Sequence, residues 1–375
     1  MLSTLPKLAD KAFIVGFFLP CLLFAIASLT LFSDVPKIHE FLILSQDSKN
    51  FEKLVYLVLA VWTLAVFMTI INTAQYKILE GYKWPVSAMK SLHAKEMARF
   101  VSLDDRVYYL RTARYEAGGK LPDDEETELR KTWLLLRRDF PDQKALVLPT
   151  RFGNAIRAFE QYANSVYGAD SVTLWYHLSS VIPKEFQSLV TEARSQVDCL
   201  VNIIFLAAAI GVCANIRLAA ASALWMFGDA NLPHVGLHIV ATDLVISSVT
   251  AVVAPLIVYF AYKLSLERVY VWGDWVKASF DCYLPDLAKR LALALPAKND
   301  EQMELWKSVS RRASLHHPFS SEKWAAPADQ KAPENKKFGE CQSESSHKDG
   351  QGDDKDDKDA ENGSTDNDDS QAGDT

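Results

Sequence analysis

LVYLVLAVWTLAVFMTIINTAQY, residues 54–76, is a run of 23 residues without one charged side chain. A hydrocarbon layer about 30 Å thick is crossed by roughly 20 apolar helical residues, so this stretch alone argues for an α-helical membrane protein. Reading outward finds three more blocks of the same kind. Ala12 to Ser33 is also free of charge. Cys199 to Ile216 is uncharged up to Arg217, after which Leu218 to Gly228 is apolar again; Leu244 to Tyr262 follows Asp243 and an apolar lead-in from Leu237. The predicted spans are therefore about 12–33, 54–76, 199–217 and 240–262. Pro20 and Pro255 fall inside spans and predict kinks. Ala25-Ile26-Ala27 has the shape of a secretory cleavage site, but the apolar run continues past it to Phe32, which favours an uncleaved span.

Mean hydropathy near zero hides this pattern, because the apolar residues are concentrated in blocks. The net charge of -7 hides another: residues 339–375 alone contribute 13 acidic and 3 basic side chains, leaving the rest mildly basic. That suits a protein facing anionic lipid and gives no nucleic-acid footprint. The five cysteines, Cys21, Cys199, Cys213, Cys282 and Cys341, form no CxxC or Cys/His spacing and read as small packing residues.

Lys and Arg near span ends are retained in the cytoplasm. Lys7, Lys11, Lys77, Lys83, Lys90, Lys95, Arg194, Lys263, Arg268 and Lys277 share one face of an even-numbered bundle, against Lys37, Lys49, Lys53 and the edge residue Arg217 on the other. The bias predicts both termini and the central region inside the cell. The expected organisation is an N-terminal membrane hairpin (1–76), a cytoplasmic helical domain (77–197), a C-terminal membrane hairpin (198–262), a juxtamembrane helical segment (263–317) and a disordered acidic tail (318–375).

Within 77–197, 18 basic and 16 acidic residues accompany helical periodicity. One helix is predicted to end at Gly118-Gly119. The next runs from Asp123 to Phe140, its acidic first turn and Arg137-Arg138 suiting the helix dipole, and Pro141 stops it. Thr150 reads as the N-cap of a helix through Tyr162, the Tyr167-to-Asp170 segment as a turn before a helix over Val172 to Val181, and Pro183 as the first residue of a helix running unbroken into the third span. After the fourth span, Trp272 and Trp275 suggest headgroup-level anchors, with Pro285 and a helix over Glu301 to Leu315 beyond them.

The segment LPTRFGNAIRAFEQYANSVYGADSVTLWYHL, residues 148–178, resembles an uncharacterised family of bacterial four-span integral membrane proteins with the form LPTRxGN, then Glu, then YGxD, then LWxxL. Pro149, Thr150, Arg151, Gly153, Asn154, Glu160, Tyr167, Gly168, Asp170, Leu174, Trp175 and Leu178 carry it, and the likeness extends to VGFFLP in the first span and to Phe280–Pro296. The resemblance implies a multi-pass architecture in a bacterial inner membrane; it implies no activity, cofactor or catalytic residue.

Three constellations carry the candidate chemistry. Arg151, Asn154, Glu160, Asp170 and Trp175 read either as a ligand or partner surface or as a capping and salt-bridge network. Arg217 and Asp243 sit near hydrocarbon, where ionisable groups pair, snorkel or line a wet path; an ion pair closing the hairpin is the expectation. His234 and His238 have the i, i+4 spacing of metal ligands, with Asp229 and Asp243 as further oxygen donors, but two histidines without a firm third ligand read as polar caps. The Asp353-to-Asp359 run lacks the Gly and terminal Glu of an EF-hand in register, and no P-loop, GxGxxG, GxSxG or HExxH occurs. The leading expectation is a non-enzymatic scaffold or signalling module, without a cofactor, that binds a cytoplasmic protein partner and is held in the bilayer. A homo-oligomeric channel, its spans meeting through Ala207, Ala208, Ala209, Gly211 and Ala214, comes second. A membrane-bound enzyme comes third.

Overall fold

The computed structural model describes residues 10–33, 35, 38, 51–227, 241–316 and 324, leaving aside the side chains of 51–53, 224–227 and 241–243. These residues are all-helical, with no strand among them. Contacts divide the chain into Met1–Ala332 and Pro333–Thr375. The second unit, with most of the expected acidic tail, lies outside the described residues.

Helix α1 (Lys11–Leu31) is wound as a π-helix over Ile14–Phe18, and the cause is local. Pro20 has no amide hydrogen for Gly16, four residues back, so that carbonyl is released. The Asn202 side-chain amide donates to it at 2.8 Å. The disturbance expected at Pro20 is thus taken up as a π turn with a partner already in place.

Helix α2 (Phe51–Leu79) is followed by a turn through Gly81, whose φ of 94° favours glycine. Helices α3 (Lys90–Glu116) and α4 (Asp123–Asp139) form a hairpin that buries Phe100, Leu110, Leu129, Leu136 and Phe140. As expected, α4 begins in an acidic turn and ends ahead of Pro141. Helix α5 (Arg151–Tyr167) starts at the Thr150 cap and runs five residues beyond the Tyr162 limit expected, to a left-handed Gly168. Asp170 caps α6 (Ser171–Ser179).

Two long helices organise everything else. Helix α7 (Lys184–Phe227) runs unbroken for 44 residues, on the order of 66 Å at about 1.5 Å per residue, and α8 (Ala241–Arg290) for 50. Both Pro255 and Pro285 lie inside α8. Each removes one helical hydrogen bond, yet Leu284, Leu287 and Ala288 bury around the second, and that packing holds the helix to Arg290. Helix α9 (Asn299–Leu315) closes the described part.

Four of these helices, α1, α2, α7 and α8, are long and apolar enough to cross a membrane. The apolar parts of α1, α2 and α7 share a core of Phe13, Cys21, Val61, Ala65, Met68 and Leu206. Gly211 lets α7 approach α8 closely: a Cβ there would lie 3.0 Å from that of Ala254. Gly211 and Ala214 are buried, so part of the small-residue stripe is used within the chain.

The largest core is elsewhere. It joins α5 and α6 to the start of α7, the end of α8, and α9, through Phe152, Phe159, Leu178, Phe280, Leu305 and Trp306. Segments that sequence order separates, 148–197 and 263–315, are therefore one hydrophobic unit. Trp324 belongs to it, buried and accepting the Ala294 amide at 2.9 Å. The composition boundary at 318 cuts off this core residue because the tail's polarity outweighs a single tryptophan.

Candidate functional site

The LPTRFGN turn is a fastening between helices. The Thr150 hydroxyl accepts from Gly153 N at 2.9 Å and donates to the Leu79 carbonyl at 2.7 Å, so one side chain caps α5 and ties it to the end of α2. Gly153 permits the contact: a Cβ there would stand 2.5 Å from the Glu80 carbonyl oxygen. Asn154 is fully buried; its Oδ1 accepts from Leu148 N (2.6 Å), and its Nδ2 donates to Leu148 O (3.0 Å) and Glu96 Oε2 (3.4 Å). Half-exposed Arg151 stands 3.5 Å from the other Glu96 oxygen. Asp170 accepts from Val172 N and Thr173 N at 3.0 and 3.1 Å. Arg151, Asn154 and Asp170 are thus engaged in capping and bracing.

Glu160 and Trp175 come together in a different place. They line a cleft of 350 Å³ between α5, α6, α7 and α8, with Phe159, Tyr176, Trp272 and Arg194. Arg194 lies 5.7 Å from the Trp272 ring centroid. Trp272 packs edge-on against Phe159 at 5.0 Å and Trp275 against Phe186 at 5.3 Å. Both partly buried rings, expected as headgroup anchors, pack against the helical core.

On a neighbouring face, Arg157 pairs with Glu160 at 3.5 Å and donates to the Tyr82 hydroxyl. Burial, then the Glu160 charge, pushes the Glu80 carboxyl up to about 7, with Arg157 and Lys77 opposing. Glu160 is also raised, first by burial, with Arg157 opposing. Two carboxylates therefore compete for one guanidinium where α2 meets α5.

A second polar cluster lies within the apolar helices. Asp198 on α7 is buried; its Oδ1 accepts from Tyr76 OH at 2.9 Å and Asn72 Nδ2 at 3.3 Å, while Oδ2 faces Arg194 Nε at 3.9 Å. One turn along, Asn202 holds the Gly16 carbonyl. The Asn202 Oδ1 and Gln75 Oε1 atoms are buried with no partner among the described residues. Sequence reasoning missed this cluster by using Tyr76 and Asp198 as span boundaries. The signal was the polar spacing of Asn72, Gln75 and Tyr76 on one helix and Asp198 and Asn202 on another, in otherwise apolar surroundings.

Arg217 is buried, with Nε donating to Ser247 Oγ at 3.3 Å and its guanidinium 5.3 Å from the Phe32 ring centroid. The side chain of Asp243, its expected partner, lies outside the described residues, as do His234 and His238. Cys282, expected to pack, is exposed. No protein-family model, curated protein or solved structure matches the chain.

Proposed function

We propose that the chain is a four-span integral membrane protein of a bacterial inner membrane, with both termini and the helical domain in the cytoplasm, acting as a scaffold or signalling module. The carrying observation is that Arg194 lies in the cleft of the domain core on the same helix that continues into the apolar bundle. A protein partner seated there would meet aromatic rings and a guanidinium on a rod that cannot bend independently of its membrane part. The apolar surface of α1, α2, α7 and α8 and the Lys/Arg bias support the membrane placement.

Two measurements test this reading. A phosphatase reporter inserted after Gly118 should be inactive, and the chain should stay in the pellet until detergent is added; an active reporter or a soluble chain overturns the topology. A photo-crosslinking residue at exposed Tyr176, on the cleft, should give one discrete heterologous adduct that the same residue at Tyr108 on α3 does not. Identical patterns from the two positions would remove the partner from the cleft.

A further inference from the structure

The buried cluster around Asp198 leaves oxygen acceptors without a donor. Asp198 Oδ1 is served twice, by Tyr76 and Asn72. Its Oδ2 has Arg194 at 3.9 Å, beyond hydrogen-bond distance, and the Arg194 side chain is 55% exposed. Asn202 Oδ1 and Gln75 Oε1 are unpartnered among the described residues, and the two residues are 0% and 2% exposed. A buried carboxylate flanked by orphaned amide oxygens is costly unless something positive completes the set.

The residues that carry these atoms share one junction of α1, α2 and α7. Asp198 and Asn202 are four apart on α7 and share its face. Both reach Gly16 of α1: a Cβ on Gly16 would lie 3.3 Å from the Asp198 Cβ, and the Asn202 amide holds the Gly16 carbonyl. Helix α2 runs antiparallel to α7, since Tyr76 and Asn72 meet Asp198 while Val61, Ala65 and Met68 share a core with Leu206. The Gln75 amide reaches from the Tyr76 level toward Met68, with Nε2 3.7 Å from its sulfur. That is the direction in which Asn202 lies from Asp198. The π turn of α1, freed by Pro20, forms the third wall, an arrangement often found at functional sites.

We propose that this cluster is a binding site for a small hard monovalent cation of the sodium type, with Asp198 Oδ2, Asn202 Oδ1 and Gln75 Oε1 as protein ligands. Hard cations take oxygen donors, and one carboxylate with two neutral amides carries a single negative charge, which half-exposed Arg194 offsets only in part from 3.9 Å. Among the described residues no group of three or more His, Cys, Asp or Glu could hold a metal, which disfavours divalent and soft ions. The cation satisfies all three oxygens at once, whereas a proton on Asp198 supplies one donor. Tyr76 on α2 and Arg194 on α7 are the titratable groups facing the carboxylate. The site does not depend on the membrane orientation, and it shares only Arg194 with the partner cleft.

The test uses the full-length protein in detergent. Thermal unfolding is followed in sodium, potassium and choline chlorides at equal ionic strength, above neutral pH. Sodium should raise Tm over choline by about 2–4 °C and saturably. D198N and Q75L should each abolish the difference while retaining a cooperative transition in choline. Equal Tm values in sodium and choline overturn the proposal. So does stabilisation by lowered pH without a sodium effect, which would make the occupant a proton, or a sodium effect that survives in Q75L or D198N. If D198N does not fold, the wild-type titration and Q75L decide.

Discussion

The two parts of α7 solve opposite problems with one helix. From Lys184 to Asp198 the exposed positions include Lys184, Glu185, Ser188, Thr191 and Arg194, while Val190, Ala193 and Val197 are buried. Further along, the exposed positions include Ala208, Val212 and Ile216, and the buried ones Asn202 and Arg217. The first part is mostly apolar inside and polar outside; the second shows mostly oily side chains and buries Asn202 and Arg217. A helix in water hides its hydrophobic stripe, and one in lipid hides its polar groups instead. The inversion takes place around Asp198.

The largest expected effect falls where the two environments meet. G153A should drive a methyl group into the Glu80 carbonyl, lowering stability by about 3 kcal/mol. G118A, at a positive-φ position with open space around it, should cost only about 1 kcal/mol. Comparable losses in denaturant unfolding would show that the α2–α5 contact is not close. N154A comes next. It leaves both backbone groups of Leu148 without their side-chain partner and should cost about 2–3 kcal/mol. A smaller loss would make room for the ligand-surface reading of that segment.

Glu80 sharpens the comparison through pH. Burial and the Glu160 charge raise its carboxyl from an ordinary 4.5 to about 7, so the folded state binds the proton more tightly than the unfolded chain. Its contribution is therefore fully present below about 4.5 and declines as pH rises toward about 7. E80Q should flatten Tm over that window and raise it by about 1–3 °C above it. An unchanged pH profile would mean the α2–α5 junction is wetter than its packing implies. Smallest of all, R106A should leave Tm unchanged, since the Arg106–Glu128 pair is solvent-exposed and screened.

Legibility followed the same divide. The apolar runs, the Thr150 cap, the turn before α6, the stop before Pro141 and the continuous α7 could all be read locally, because each depends on residues within one or two turns. What could not be read depends on distant partners. The packing of Trp272 and Trp275 on Phe159 and Phe186 joins residues far apart in sequence. Pro285 looks like a terminator until the core holds its helix together. Asn202 looks like an isolated polar residue until Pro20, far back in the chain, frees a carbonyl for it. Of the five candidate residues in the 148–178 segment, sequence could group them but not divide them into three braces and two cleft residues.

The core that gathers α5, α6, α9 and Trp324 also constrains how the molecule is made. Its pieces leave the ribosome on either side of the hairpin formed by α7 and α8, so α5 and α6 emerge long before α9 and Trp324 exist to cover them. During that interval their apolar faces are open to chaperones or to wrong neighbours. Release of the chain before residue 324 would leave a full complement of hydrophobic helices beneath an unfinished interior.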